Sequence, residues 1–578
     1  MKPLFSILLL CLSSLTLSAK DKWYDPLKAD SFVIQNQGWT NEIGRCYTRL
    51  PERTKDVLRN PVYSLAGDAA GLSIHFYTNA RKITVRYGVS GPAAMDHMPA
   101  TGKSGIDLYA IDPDGNWNII TDKYLFKDTI TYTFNNLKQC KFHNHGFEFR
   151  MFLPMYNHVN WMEIGIPDSA ELKFIPVRKE KPIVVYGTSV TQGGCASRPA
   201  MAWTNIISRI LDVPVINLGF SGQGYLEKEF VNYINELDAA LYIYDCLPNM
   251  GALDSAEIYN RTVYGVTELR KKHNAPILIT DHIGYRNDKM IMNTAAASER
   301  VNRISLQAYN ALVKSGVRNI WYLHKDSIHF PDDGCVDFIH PNDLGMKAYA
   351  DAYIKIIREI LNMPLGSFTT TIPVSQRREP DIYEWKDRHR KILEHHEMSP
   401  SEKVIIGNSI VHYWEGEPGS NHANGPESWK KFMKPAGFYD MGFGWDRIEN
   451  VLWRVYHGEL DGFSANEIVL MIGTNNLFMN NDHEILGGLE FLIKQIEIRQ
   501  PNAKIKILGL LPRRNDEKRI LSLNIGVAEV AKSSGCTYID AGSVLLLKNG
   551  IIDESLFLDG LHPNEKGYRK IAPLITAP

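Results

Sequence analysis

Two serines stand where a continuous apolar run gives way to a helical pattern: Ser189 in Gly187-Thr-Ser189 and Ser409 in Gly407-Asn-Ser409. Far downstream of each lies an Asp-x-x-His-Pro, as Asp337-Phe-Ile-His340-Pro and as Asp559-Gly-Leu-His562-Pro. Serine is a weak nucleophile until a base takes its proton. A histidine oriented by a carboxylate is such a base. A developing oxyanion needs donors aimed at it. Each half of the chain offers them between its Ser and His blocks. The first half has Asn217-Leu-Gly-Phe-Ser-Gly222 and Pro248-Asn249; the second has Asp440-Met-Gly-Phe-Gly-Trp445-Asp and Gly473-Thr-Asn475-Asn. A Gly backbone N–H and an Asn side-chain amide after later strands suit that task. The chemistry these residues suit is acyl transfer through an acyl-serine.

Each motif is weak alone. Gly-x-Ser is a common turn, Asp-x-x-His-Pro also reads as a helix cap before a loop, and Gly473-Thr-Asn-Asn also reads as a plain turn. The order carries more weight. Ser409 follows Ser189 by 220 residues, Trp445 follows Gly222 by 223, Asn475 follows Asn249 by 226 and His562 follows His340 by 222. Near-constant offsets over four marks indicate a duplicated domain.

The elements that must position these residues can be read from the runs around them. Pro182–Gly187, Val213–Asn217, Ala240–Asp245, Ala275–Thr280 and Asn319–Leu323 are apolar, as strands covered on both faces are, and Leu344–Leu361 has helical periodicity. Lys403–Gly407, Glu467–Gly473, Lys504–Gly509 and Thr537–Asp540 repeat the style, with a helix over Leu489–Arg499. Alternating strands and helices predict parallel α/β sheets, whose ligands sit at the carboxyl ends of the strands. From about Trp23 to Val177 the pattern is different. Leu72–Tyr77, Lys82–Tyr87, Gly105–Ile111 and Phe147–Phe152 read as short strands between turn residues, which predicts a β-sandwich or barrel. The expected organisation is a signal peptide over 1–19, a β-sandwich over 20–178, a first α/β domain over 179–365, a linker and helix over 366–395, and a second α/β domain over 396–578.

The four ordered blocks resemble the SGNH (GDSL-like) hydrolase superfamily over about two thirds of the chain. The resemblance implies a flavodoxin-like α/β/α fold and ester hydrolysis. Carried over, Ser189, His340 and Asp337 would be the first triad, and Ser409, His562 and Asp559 the second. Gly222, Asn249, Trp445 and Asn475 would serve the oxyanion holes. The second copy is similar to bacterial relatives of the platelet-activating factor acetylhydrolase catalytic subunit, through Val451-Leu-Trp-Arg454, Gly458-Glu-Leu460, Gly473-Thr-Asn-Asn476 and Asp559-Gly-Leu-His-Pro-Asn564. The first looks like a GDSL-like group with a β-rich, jelly-roll-like N-terminal domain marked by Gly-x-Asp-Leu-Tyr, here Gly105-Ile-Asp-Leu-Tyr109. In exported bacterial proteins these families commonly deacetylate polysaccharides, so the resemblance implies an acetylated carbohydrate as substrate. Several positions depart from the pattern. Trp445 takes the place of an oxyanion Gly, Asp440 that of an Asn and Phe338 that of a Gly; Pro248 precedes Asn249 where Gly is usual.

Composition excludes other classes. The 64 Lys and Arg against 65 Asp and Glu give a net charge of −1, so a dedicated nucleic-acid binder is disfavoured. Hydrophobic residues at 44% and charged residues at 22% describe a globular chain. Met1-Lys2, an apolar run from Leu4 to Leu12 and small residues to Ala19 read as a secretory signal, which predicts a periplasmic or extracellular location. No segment reaches membrane-spanning length. No P-loop or dinucleotide fingerprint occurs and no C-x-x-C pair suggests zinc, so neither cofactor nor metal is expected. Cys195 and Cys246, on segments that converge at the first site, are a disulfide or two free thiols. Trp414, Trp445 and Trp453 fall near the second site's loops, as core residues or as a sugar-stacking surface. Lys386–His396 reads as a solvated helix, and His412 as a structural histidine. Asp96-His97-Met98 reads as an ordinary loop or as one that reaches the first site. The departures from the family pattern keep open a carbohydrate-binding protein with degenerate sites, and a lipase or phospholipase stays open because the same triad serves lipids.

Overall fold

The computed structural model describes residues 20–291, 294–378 and 382–577. The expected signal peptide lies outside them. Among the described residues no helix is long and apolar enough to cross a membrane.

The amino-terminal unit contains two antiparallel sheets. One orders Asp21–Tyr24, Val159–Pro167, Ile83–Val89, Ile130–Phe134 and Lys123–Leu125; the other orders Leu172–Phe174, Ser73–Thr78, Phe147–Phe152, Asp107–Ile111 and Trp117–Ile120, with Ile34–Gln35 beside Ser73–Thr78. Alternate residues such as Ile74, Phe76, Val85, Tyr87, Leu108, Met151 and Ile164 share one core. One stretch of the 20–178 unit packs outside this core. Trp39, Leu50, Leu58, Val62 and Ala66 leave that core and pack with Ile216 and Phe230 of the first α/β lobe. Arg49 fixes the excursion, since its buried guanidinium donates to the Gly219 carbonyl at 2.7 Å, Asn217 at 3.1 Å and Asp68 at 2.8 Å. No local pattern tells an apolar side chain which of two neighbouring cores it will join.

The Gly-x-Asp-Leu-Tyr motif has a mechanical use. Asp107 accepts from the Ala200 N–H at 2.7 Å and pairs with Arg198 at 3.1 Å. Tyr109 accepts from Arg198 at 3.2 Å, and Arg209 lies over its ring. A Cβ on Gly105 would come within 2.3 Å of the Thr101 carbonyl oxygen. The motif thus clamps the β-rich unit onto the first lobe.

The two α/β lobes are built alike. The first orders its parallel strands Val215–Gly219, Ile183–Gly187, Leu241–Asp245, Ile277–Thr280 and Ile320–Leu323; the second orders Phe438–Gly442, Lys403–Gly407, Glu467–Met471, Lys504–Leu508 and Thr537–Ile539. Both follow the 2-1-3-4-5 order of a doubly wound sheet. The strand Phe438–Gly442, buried but interrupted by polar Asp440, is one the apolar pattern does not show. In both lobes the first strand in chain order ends in register with its outer neighbour, Gly187 beside Gly219 and Gly407 beside Gly442. The helix after each serine presses on that neighbour. A Cβ on Gly219 would meet the Gln192 nitrogen at 2.2 Å, and one on Gly442 the His412 nitrogen at 2.2 Å. Any side chain there would push the serine's helix off the sheet.

The expected linker and solvated helix are corrected by the structure. Thr370, Thr371, Ser375, Gln376 and Arg377 are buried. The helix Trp385–Met398 buries Trp385, Arg388, His389, Ile392 and His396. Lys386, Arg388 and His389 are turned inward and paired. Asp212, at the end of the helix Trp203–Leu211, receives Arg150 of the β-rich unit at 2.6 Å, Arg178 at 3.0 Å and Lys386 of the connector at 3.3 Å. Glu148 pairs with Arg150 and with Arg377, both at 2.6 Å. His389 meets Glu459 of the second lobe at 2.6 Å. One buried ionic network therefore joins all three units.

Candidate active sites

Each serine opens a helix directly after its lobe's first strand, Ser189 that of Ser189–Gln192 and Ser409 that of Ser409–Glu415. The preceding residue caps the helix. The Asn408 side chain accepts from the Ile410 N–H at 2.9 Å and Thr188 accepts from Val190 at 3.4 Å. This capping needs only a side-chain oxygen, which explains why Thr and Asn can both stand there.

The structure brings each predicted triad together with the same geometry. His340 Nε2 lies 2.9 Å from Ser189 Oγ and its Nδ1 lies 2.7 Å from Asp337. His562 Nε2 lies 2.9 Å from Ser409 Oγ and its Nδ1 lies 2.7 Å from Asp559. With Nδ1–H donating to the carboxylate, Nε2 is left as the acceptor that can take the serine proton. The other carboxylate oxygen is tied down as well. Asp337 accepts the Ile339 and His340 N–H groups at 2.8 and 2.7 Å, and Asp559 accepts those of Leu561 and His562 at 2.9 and 2.8 Å. Burial pushes both carboxyls up, but the hydrogen bonds from the histidine ring and these backbone groups outweigh it and hold them below the ordinary carboxylate range. Both remain anionic and oriented.

The oxyanion candidates lie on the loops after the neighbouring strands. The Asn249 side-chain oxygen accepts from the Gly224 N–H at 3.0 Å, which fixes the amide. Asn475 donates one amide N–H to the Asp446 carbonyl at 3.0 Å and retains the other. Gly222 has φ +67° and Trp445 has φ +64°, so the tryptophan adopts the glycine's backbone conformation. A non-glycine residue there costs of order 1–3 kcal/mol and needs a structure that imposes it. The connector supplies that structure. Gln376 donates to the Gly444 carbonyl at 2.8 Å and to Asp446 at 3.1 Å, Tyr383 donates to the Gly444 carbonyl at 2.9 Å, and Trp385 donates to Asp446 at 2.8 Å. Arg454 closes the far side, pairing with Asp446 at 2.9 Å and Glu459 at 2.7 Å. The departure at Asp440 has its own reason. Asn217 accepts from the Gly219 N–H and donates to the Thr191 carbonyl. Asp440 likewise accepts from the Gly442 N–H, but its remaining partner is the buried Arg388 of the connector at 3.0 Å.

Of the three tryptophans, Trp414 and Trp453 are core residues. Trp445 is 46% exposed and lines a cavity of about 580 Å³ in front of Ser409 and His562. Tyr413, His422, Asn424, Phe478 and Arg513 line the same cavity. Sequence reasoning missed these residues: Tyr413 lies on the serine's own helix and Phe478 on a short 3-10 turn, while His422, Asn424 and Arg513 lie on loops without periodic pattern. His412 is buried and accepts from the Gly444 N–H, so it supports the loop and stays out of the cavity. Burial and the nearby Arg388 hold it well below the usual imidazole range.

The first site has a different wall. Tyr156 of the β-rich unit donates to the Ser189 carbonyl at 3.0 Å. The His97 ring lies 5.5 Å from the His340 ring, so the 96–98 loop does reach this site. Cys195 and Cys246 are free thiols.

Comparison with known proteins agrees with this geometry. Residues 180–358 and 405–570 each match a model of the GDSL-like lipase/acylhydrolase family, and residues 21–172 match the GxDLY model, the N-terminus of SGNH-hydrolase-type esterases. The chain is 29% identical over 192 residues to human platelet-activating factor acetylhydrolase IB subunit alpha2, covering 32% of this chain and 80% of the relative. The human alpha1 subunit is 26% identical over 192 residues and 79% covered. A solved GDSL-like lipase from Bacteroides ovatus superposes with a TM-score of 0.55 at 27% identity, covering 60% of this chain and 100% of the other.

Proposed function

From the premise that this chain joins a GxDLY-type N-terminal domain to two domains of the GDSL-like lipase/acylhydrolase family, and so hydrolyses carboxylic esters, we propose that it is an exported carbohydrate O-acetylesterase with two working sites. The observation that carries this reading is the presence of two complete Ser–His–Asp arrays, each closed at 2.9 and 2.7 Å.

In each site histidine Nε2 takes the Oγ proton as serine attacks the acetyl carbonyl. The oxyanion is held by the serine N–H, the N–H of Gly222 or Trp445, and the amide of Asn249 or Asn475. The histidine returns its proton to the departing sugar hydroxyl, leaving an acetyl-serine. Water, deprotonated by the same histidine, then releases acetate.

The acetyl group is supported by the name of the human relatives, which are acetylhydrolases. The carbohydrate is supported by the second cavity. Trp445, Tyr413 and Phe478 give apolar faces on which the C–H face of a sugar ring can pack, while Asn424, His422 and Arg513 offer hydrogen bonds to hydroxyls. The signal-like run before Ala19 supports a periplasmic or extracellular location. The β-rich unit, read as a jelly-roll-like sandwich, completes the first site through Tyr156.

A substrate panel tests the reading. Acetate release from acetylated polysaccharides is expected to exceed hydrolysis of long-acyl nitrophenyl esters and of phospholipids. A preference for long acyl chains or phospholipid would overturn it in favour of a lipase. Trp445→Gly, made in a Ser189→Ala background, keeps the backbone donor and relieves the left-handed strain. Losing an aromatic contact of about 0.5–1.5 kcal/mol is expected to raise KM for an acetylated oligosaccharide about two- to tenfold with kcat little changed. A fall in kcat without a change in KM would place Trp445 in the oxyanion loop alone.

A further inference from the structure

Three side chains remote in sequence meet at the first catalytic histidine. His97, Cys195 and His340 each present one ligand atom within 4.8 Å of the others. His97 sits at the tip of a tight hairpin in which Met95 and Met98 exchange backbone hydrogen bonds at 3.1 and 3.0 Å. Met98 is buried in the core of the first lobe, so the hairpin is pinned to the lobe whose site it overhangs. Cys195 is a buried free thiol on the turn that follows the nucleophile, with φ +71°. That turn is tied to the serine by the Gly194 N–H, which donates to the Ser189 carbonyl at 2.8 Å.

We propose that His97, Cys195 and His340 form a binding site for a soft divalent cation of the Zn²⁺ type, and that its occupation switches the first site off. Two imidazole nitrogens and a thiolate are a donor set such cations favour. Bonds of about 2.0–2.3 Å require the three atoms to close by roughly 1 Å, a movement that the exposed His97 at a hairpin tip can supply. The thiol proton leaves to solvent as the metal–sulfur bond forms. The lone pair of His340 Nε2 goes to the metal in place of the serine hydroxyl proton, so Ser189 keeps its proton and stays inert. No oxidation state changes.

The second site has no counterpart. Among the described residues no other cluster of this kind occurs. The ring beside His562 is Tyr413, at 5.3 Å between centroids. The cation would therefore silence one site and spare the other.

The metal site stands independently of the esterase reading; only the inhibition rests on it. Co²⁺ titration of the full chain is expected to give a cobalt–thiolate charge-transfer band at one ion per chain, lost in Cys195→Ser. Loss of an outer partner already costs 10–100-fold in metal affinity, so His97→Ala is expected to weaken binding at least tenfold. His97 is exposed, which keeps this variant folded should the cysteine variant fail. In a Ser409→Ala background, Zn²⁺ is expected to inhibit ester hydrolysis reversibly, with the half-inhibiting concentration raised at least tenfold by His97→Ala; in a Ser189→Ala background it has no effect. Absence of the cobalt band in the wild type, or a band undiminished in Cys195→Ser, overturns the site. Cobalt binding with undiminished activity overturns the switch alone, and absence of any esterase activity beside a normal cobalt band counts against the proposed function instead.

Discussion

Replacing Ser189 and Ser409 together by alanine is expected to lower acetate release from an acetylated polysaccharide by at least about 10⁴-fold, since the members of a Ser–His–Asp array act as a unit. The single variants are expected to divide the remainder. Each loses only the contribution of its own lobe, because the two nucleophiles belong to separate sheets and share no catalytic group. The split need not be equal. The first site is walled by Tyr156 and His97, the second by Trp445, Tyr413 and Phe478, so each single variant should show its own substrate profile. Initial rates on a panel of acetylated glycans measure this. Unchanged release by the double variant would remove both serines from the chemistry.

The second large effect is one of stability. Asp212→Asn keeps the shape of the side chain and its tolerance of φ +51° but removes the charge shared by Arg150, Arg178 and Lys386. Breaking a buried ionic cluster by deleting one partner costs about 3–5 kcal/mol, because the other charges stay buried without compensation. A fall of several degrees in Tm at pH 7 is expected. The pH dependence has a definite sign. Burial would raise the Asp212 carboxyl, but Arg150, Lys386 and Arg178 outweigh it and hold the group well below its ordinary range. Its contribution is therefore fully present above the unfolded value of about 4 and is lost as pH falls through the lower folded value. The gap in Tm between wild type and variant should persist from pH 7 down to about 4 and close only below that, although its size can change near pH 7, where burial places the Lys386 ammonium at about 7. A gap that closes between pH 7 and 5 would assign the stabilisation to another group.

Much of this architecture is visible in the sequence because its signals are local. Lys403–Gly407 is a strand end to end, and the Asp-x-x-His loops fold on themselves through their own N–H groups, so spacing alone conveys their geometry. The connector was misread for a physical reason. Arg377, Lys386, Arg388 and His389 have the composition of a solvated surface, and such residues are rarely buried unless paired. Their partners Glu148, Asp212, Asp440 and Glu459 lie in other units, where no local pattern points to them. The cluster of His97, Cys195 and His340 was hidden in the same way, since metal-ligand patterns are recognised by short spacing. Arg454 and Glu459 were noticed as family marks, and the structure supplies their use beneath the Trp445 loop.

The connector's grip on Gly444 and Asp446 also bears on synthesis. Both candidate nucleophiles are preceded in the chain by the segment that braces their site, the β-rich unit for Ser189 and residues 366–395 for Ser409. Chains emerge amino terminus first, and domains fold as units in that order. Each brace is therefore made before the site it supports, and a nascent second lobe meets a partner already waiting for its oxyanion loop. Had the duplicated lobes been joined in the opposite order, with the connector trailing, the strained Trp445 turn would have to form with only Arg454 and His412 of its own lobe to hold it.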